Sequence, residues 1–398
     1  VADLSSIKFF ILDEADRLVD GDNLPMVLEL YNACPVYGKG LDRLQVCFFS
    51  ATLHSPAITQ LASTICTNPT WVDLKGKDSV PETVHHCILR VDLERHWNQF
   101  YGSGKLKQIP VVLDGVHPNG RINQEEQNSL RLKELKQRIL IKIIDHFQMT
   151  QCIIFCRTNL DCNNLETFLC SQETGVSQQK FTKQMETGKE NKYSCAVLAG
   201  MRSLNDRRES LNAFREGSIR FLIATDVAAR GLDITGLPYI INMTLPEECE
   251  NYIHRIGRVG RADRMGLALS IVAPENITEK VWYHTCSNKG KDGNCTRRQL
   301  VENGGCTINY NETEKLNAIE KRLDMKIPEL DPDTYNLPEE LASQNVEYGE
   351  LYEEDEEKLE KLRAKFHFDE VTPAMRELSK MEFQSQNMFL RLQYEFSQ

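Results

Sequence analysis

Asp13-Glu14-Ala15-Asp16 is the first place in the chain where residue types and spacing could do chemistry. The quartet follows an apolar run at 9–12 that reads as a buried strand. That sets its first acids at the carboxyl end of the strand, where α/β folds place ligands. One carboxylate there can orient Mg²⁺ against phosphate oxygens and the next can polarise an attacking water, which makes Asp13 and Glu14 candidates for nucleotide hydrolysis. Taken alone, the four letters equally describe a solvated turn. Ser50-Ala51-Thr52 sets two hydroxyls after the next apolar run. Far downstream, His254-Arg255-Ile256-Gly257-Arg258-Val259-Gly260-Arg261 spaces three arginines three residues apart with glycines between them. Such arginines project along one face at the start of a helix and offer planar forks to phosphate oxygens. A last set, His284, Cys286, Cys295 and Cys306, joins an imidazole to soft thiolates, the donors of a tetrahedral Zn²⁺ site. It lacks a tight Cys-x-x-Cys knuckle, so reduced cysteines in a loop-rich extension are the competing reading.

Positioning these residues requires strands, and apolar runs recur at 7–12, 44–49, 152–156, 195–198, 221–224, 239–242 and 267–272, several of them separated by helical stretches. That alternation predicts an α/β fold with a parallel sheet covered on both faces. Residues 1–74 hold two or three strand units, too few for a full sheet, and read as the C-terminal part of a first domain. Residues 75–135 carry Gly102-Ser103-Gly104, Pro110 and Pro118-Asn119-Gly120 and read as a linker or inserted loop. A second, complete domain spans 136–275, introduced by a helix over 130–147. Residues 276–330 follow as a Cys- and Gly-containing extension, and 331–398 as an acidic, helical tail. In that tail Leu359, Leu362 and Phe366, then Met381, Met388, Leu390 and Phe396, fall on helix faces. Such a helix either folds back on the core or docks another protein.

A chain of 398 residues accommodates two domains and an extension, and 41% hydrophobic residues can fill their cores. No apolar run approaches the roughly 20 residues of a membrane span. The chain opens on Val1 without a charged segment or a long apolar one, so a signal peptide is not expected. Thirteen cysteines are read mostly as reduced core thiols, Cys47, Cys152 and Cys156 among them as small buried hydrophobes. The net charge of −11 argues against a non-specific polyanion binder, but residues 335–398 hold fifteen acidic and seven basic side chains. The rest of the chain is near neutral and leaves room for a local basic groove.

In order and spacing, the acidic quartet, Ser50-Ala51-Thr52, Thr225-Asp226-Val227-Ala228-Ala229-Arg230-Gly231-Leu232-Asp233 and the arginine run resemble motifs II, III, V and VI of the DEAD-box RNA helicases, over residues 1–275. The resemblance implies tandem RecA-like motor domains, the first partial and the second complete. It implies ATP and Mg²⁺ as cofactors, and an RNA-dependent ATPase that remodels single-stranded RNA or short duplexes without reading sequence. Asp13 would hold the metal and Glu14 orient water, with Asp16 in the same motif. Ser50 and Thr52 would connect chemistry to RNA grip. Arg258 and Arg261 would reach the γ-phosphate across an interdomain cleft, and His254 would couple to the acidic motif. Asp233 is assigned to the ribose or the finger network, Thr225 and Gly231 to the link between RNA backbone and ATP, and Arg157 and Arg207 to RNA. Leu204 replaces the family's usual Gln beside Arg207, and Val259 stands where many members have Thr.

The family's Gly-rich phosphate loop, with its Lys and Thr, precedes the acidic motif and has no counterpart in these residues. Gly102-Ser103-Gly104-Lys105 imitates half of it but has Leu106 where a hydroxyl must meet Mg²⁺. The chain is therefore read as N-terminally truncated and inactive alone. The pattern beyond residue 273 resembles one subtype, whose members carry a SPRY domain upstream and associate with the tRNA-splicing ligase complex, in nucleus and cytoplasm. The alternative reading is a non-catalytic adaptor that docks RNA or a ligase assembly.

Overall fold

The computed structural model describes residues 4–19, 23–35, 44–50, 56–66, 69–72, 80–81, 83–102, 114–117, 122–174, 191–200, 202–229, 234, 236–260, 264–286, 295–344 and 346–349. The chain divides into two units, Val1–Ser79 and Val80–Gln398. In the first, β1 (Phe9–Leu12) leads into α1 (Ala15–Leu18) and α2 (Asn23–Asn32), and β2 (Gln45–Phe48) leads toward α3 (Pro56–Ile65). The strands pair in parallel with Phe9 opposite Gln45 and Leu12 opposite Phe48. Leu12, Ala15 and Val19 meet Val27, Ile58, Leu61 and Ile65 in one core. Because side chains alternate across a strand, Phe9 and Ile11 point to the other face, where both are exposed.

The second unit contains β3 (Val84–Arg90), α4 (Leu93–Tyr101), α5 (Gln124–His146), β4 (Cys152–Phe155), α6 (Asn159–Thr174), β5 (Cys195–Leu198), α7 (Leu204–Arg215), β6 (Phe221–Ala224), α8 (Asp226–Ala229), β7 (Tyr239–Asn242), α9 (Cys249–Ile256), β8 (Gly266–Val272), β9 (Glu279–Trp282), β10 (Thr307–Tyr310) and α10 (Glu312–Leu323). Six strands form one sheet in the order β3-β8-β7-β4-β6-β5, every pair parallel. β4, β5 and β6 are buried on both faces, as their unbroken apolar sequences demand. Side-chain caps start the helices: Asp92 accepts from Glu94 and Arg95 amides for α4, Asn123 from Glu126 for α5, and Asn311 from Thr313 and Glu314 for α10.

All seven strands read from the sequence are present, with boundaries within two residues. The boundaries between domains differ. Residues 75–135 are not a linker throughout, since β3 pairs along its whole length with β8, from Val84 opposite Gly266 to Arg90 opposite Val272. Its second and third residues, His85 and His86, hid it. Both are buried and satisfied, His85 by the Tyr348 hydroxyl at 2.9 Å and Gln344 at 2.9 Å, His86 by the Tyr252 hydroxyl at 3.1 Å. Residues 276–330 are not a separate appendage either. β9 and β10 form an antiparallel hairpin that packs on α5, α10 packs on α9, and the chain at 328–330 hydrogen-bonds to Ile88 of β3 on both sides of that residue. The proposed helix faces at 359–396 lie outside the described residues.

Candidate functional site

Asp13 stands at the carboxyl end of β1, as its position after the apolar run requires, and is exposed. Its Oδ1 accepts the Glu14 amide at 3.0 Å. Glu14 has φ of 49°, a left-handed conformation that a residue with a Cβ adopts only when its surroundings insist. The next residues are anchored: the Ala15 amide donates to the Phe49 carbonyl at 3.0 Å, and the Ser50 hydroxyl donates to Asp16 Oδ1 at 2.7 Å. The structure thus joins the acidic quartet to the serine of the second motif, because β1 and β2 run in parallel and end level. Thr52 lies outside the described residues.

For Mg²⁺ the donor set is one exposed carboxylate at a strand end. Mg²⁺ keeps several waters and takes one or two carboxylates together with substrate phosphates, so Asp13 fits the ion as part of a nucleotide complex and not as a closed protein cage.

In the second unit the register aligns Phe155 with Ala224 and Asn242, and Leu198 with Ala224, so the segments after β4, β5, β6 and β7 leave the sheet along one edge. The strand order reverses beside β4, which makes that edge the switch point of the fold. Thr225 is buried there, and its carbonyl accepts the Ala228 and Ala229 amides to start α8. Asp226 grips Arg255 through two bonds, 2.6 Å from Nε to Oδ1 and 2.9 Å from Nη2 to Oδ2. Arg255 also donates to Asn242 Oδ1 at 2.9 Å and the Thr244 carbonyl at 2.8 Å, and lies 5.0 Å over the Phe155 ring. With its side chain only 3% exposed, Arg255 is a buried clamp between two motifs and not a finger.

The arginine run sits at the end of α9, since Gly257 caps that helix; the expected helix start was wrong because the glycines terminate the helix. His254 and Arg258 are half-exposed and line one hollow with Asn251, Asp226 and Ala229. Gly260 has φ of 65°, and a Cβ there would lie 2.4 Å from the Thr83 carbonyl, so the chain passes against the start of β3 only as glycine. Arg261, Gly231 and Asp233 lie outside the described residues.

Two expected RNA contacts are placed differently from each other. Arg207 is half-buried in the first turn of α7, with Leu204 beside it 69% exposed. Arg157, just beyond β4, is 13% exposed; it donates to the Trp282 carbonyl, stands 3.5 Å from Glu247 and lies 5.7 Å from the Tyr310 ring centre. The hairpin, unread in the sequence, therefore holds Arg157 against the protein.

His284, Cys286, Cys295 and Cys306 converge, with one donor atom from each within 4.8 Å of the others. Burial pushes the Cys306 thiol up, but hydrogen bonds from the Thr285 amide and hydroxyl and from the neighbouring thiols outweigh it and draw the thiol down to about 6.

Sequence reasoning passed over Asp226 and Asn242, which sit at strand ends but become legible only once Arg255 is seen to fold inward.

Residues 135–263 match the family model described as helicase conserved C-terminal domain. The chain is 41% identical over 406 residues to ATP-dependent RNA helicase DDX1 of Xenopus laevis, covering 98% of this chain and 50% of that protein. It is 46% identical over 347 residues to probable ATP-dependent RNA helicase ddx1 of Dictyostelium discoideum, covering 86% and 43%. Against ATP-dependent RNA helicase Ddx1 of Drosophila virilis it is 36% identical over 411 residues, covering 95% and 90%. The chain thus spans about half the length of the first two relatives and most of the third. Among solved structures, Saccharomyces cerevisiae Dbp5 bound to RNA and ADP BeF3 matches with a TM-score of 0.53 at 21% identity, covering 86% of this chain and 64% of that one, a likeness of RecA-like α/β fold. The acidic quartet, the arginine run and the extent of identity to the Drosophila virilis protein agree, and the chain belongs to the DEAD-box helicase family, among the Ddx1 proteins.

Proposed function

We propose that this chain carries part of the catalytic machinery of an ATP-dependent RNA helicase, which remodels or unwinds short RNA duplexes without reading sequence. The observation that carries the reading is Asp13 and Glu14 at a strand end, tied through Asp16 and Ser50 to the neighbouring motif. Asp13 would hold Mg²⁺ with the nucleotide, where the ion would supply neutralisation of phosphate charge. Glu14, held in a left-handed conformation, orients the attacking water. Arg258 and Arg261 donate to the phosphoryl oxygens that gain charge. Arg255 and Asp226 position Arg258 by fixing the end of α9 to the edge of the sheet. Arg207, Thr225 and Gly231 serve the RNA backbone through amide, hydroxyl and guanidinium contacts.

No Gly-Lys-Ser or Gly-Lys-Thr occurs in the 398 residues, so turnover requires a phosphate loop supplied in a longer form. In such a form Glu14→Gln abolishes RNA-stimulated ATP hydrolysis and leaves ATP binding intact; near-normal hydrolysis would refute the role. An RNA-processing setting such as tRNA splicing, with ligase-complex partners in nucleus and cytoplasm, rests on the subtype resemblance alone. Co-purification of RNA ligase subunits with the tagged protein tests it.

A further inference from the structure

The connection between the paired strands β9 and β10 runs over residues 283–306, whereas hairpin loops usually take about 2–5 residues. Little apolar matter among the described residues holds it in place. Among the described residues, the buried cluster beneath contains Val116, Trp282, Cys295 and Cys306, with Leu160 and Cys286 packed against it. A segment with so small a core needs a staple, and a metal is a common one.

We propose that His284, Cys286, Cys295 and Cys306 bind one structural Zn²⁺ that closes this connection at its base. Zn–S bonds of about 2.3 Å set tetrahedral sulfur–sulfur edges of roughly 3.8 Å. The Cys286 and Cys295 sulfurs are 4.0 Å apart, and one donor atom from each of the four residues falls within 4.8 Å of the rest. A disulfide would bring two sulfurs to about 2.05 Å. The His284 ring stacks on Trp282, centroids 5.1 Å apart and planes 12° from parallel, and its Nδ1 is buried without a hydrogen-bond partner among the described residues. A metal ligated at that nitrogen satisfies it. Backbone geometry serves the same end: the Tyr283 amide donates to the Cys306 carbonyl at 2.8 Å, which brings the first and last ligands side by side. At Gly305 a Cβ would lie 1.7 Å from the Gln299 carbonyl oxygen, so only glycine lets the chain deliver Cys306 into the cluster. Three thiolates and an imidazole select a soft, tetrahedral ion over Mg²⁺ or Ca²⁺. The Trp282 carbonyl also receives Arg157, so the zinc fixes the hairpin that holds that arginine.

The test is elemental analysis of the full chain, purified under reducing conditions and passed through metal-free buffer. About one zinc per chain is expected, falling below about a tenth in Cys306→Ser and Cys295→Ser but not in Cys66→Ser, which lies in the other unit. Should the serine variants fail to fold, the unmutated chain still decides: cobalt exchanged for zinc must give the visible absorption of a tetrahedral thiolate complex. Less than about a tenth of an equivalent of zinc in the unmutated chain, a Cys286–Cys295 disulfide in its mass spectrum, or zinc undiminished in Cys306→Ser would each overturn the proposal. None of these readouts depends on ATP hydrolysis.

Discussion

Glu14 is placed with φ of 49°, which costs a residue with a Cβ about 1 kcal/mol. Strain of this kind persists where function demands a geometry. Glu14→Gly should therefore relieve it and raise the urea midpoint of the first unit, a net gain on the order of 0.5 kcal/mol after the entropy glycine adds to the unfolded chain. Glu14→Gln keeps the Cβ and should leave that midpoint unchanged. The Arg255–Asp226 pair has the opposite sign. Arg255 is 3% exposed and Asp226 24%, so Asp226→Ala leaves a guanidinium buried with only the Asn242 and Thr244 oxygens as partners. A loss of about 3 kcal/mol in the second unit is expected by urea denaturation. Lys192→Met, which removes a pair in which Lys192 is 52% and Asp145 37% exposed, should cost under about 1 kcal/mol.

At the scale of elements, β3 and the segment at 114–117 carry the pH dependence. Burial, reinforced by His85, holds His86 down to about 4; burial, reinforced by Lys133, does the same to His117. Both are neutral in the folded protein, while the unfolded chain takes up protons below about 6.5. The stability they contribute is full above that value and is lost as the pH falls toward 4, at up to about 1.4 kcal/mol per pH unit for each. Urea midpoints measured between pH 7 and pH 5 should fall steeply for the unmutated chain and less steeply for His86→Gln. β3 also depends on Gly260: with a Cβ 2.4 Å from the Thr83 carbonyl and φ of 65°, Gly260→Ala should cost more than about 2 kcal/mol. Gly217→Ala, with the same sign of φ but open space around it, should cost less, and the difference in thermal midpoint isolates the clash.

At the scale of the molecule, each unit has hydrophobic clusters of its own among the described residues: one runs from Leu12 to Ile65, the others from Val84 to Tyr335. Residues 80–398 should consequently unfold cooperatively when expressed alone, with a thermal midpoint close to that of the second unit in the whole chain. Residues 1–79 should unfold at a lower midpoint, since the two-stranded sheet of the described residues, with Phe9, Ile11 and Phe49 exposed, is marginal in water. Thermal unfolding of the two fragments checks both outcomes. Within the second unit Lys136 unites distant segments, bonded to Glu312 at 2.7 Å, Glu279 at 3.2 Å and the Met243 carbonyl at 3.0 Å. Burial disfavours its charge, yet the two carboxylates outweigh that and hold its pKa above the ordinary lysine value. Lys136→Met leaves two buried carboxylates facing one another and should destabilise the unit by about 3 kcal/mol or more in the same urea assay.

The seven apolar strands, the α/β class and the acid and arginine motifs were legible in the linear chain. Each rests on local hydrophobic runs and on residue types whose chemistry needs no distant partner. What only the tertiary structure decided involves residues whose environment is supplied from elsewhere. β3 was hidden because His85 and His86 read as polar until Tyr348, Gln344 and Tyr252 arrive to satisfy them. Arg255 looked like its neighbour Arg258 until Asp226 claimed it, and Arg157 looked like an open phosphate contact until the hairpin reached it. The four zinc-ligand candidates were a set of letters with irregular spacing. Gly305 and the pairing of β9 with β10 bring their donor atoms together, because coordination depends on distance in space and not on separation along the chain.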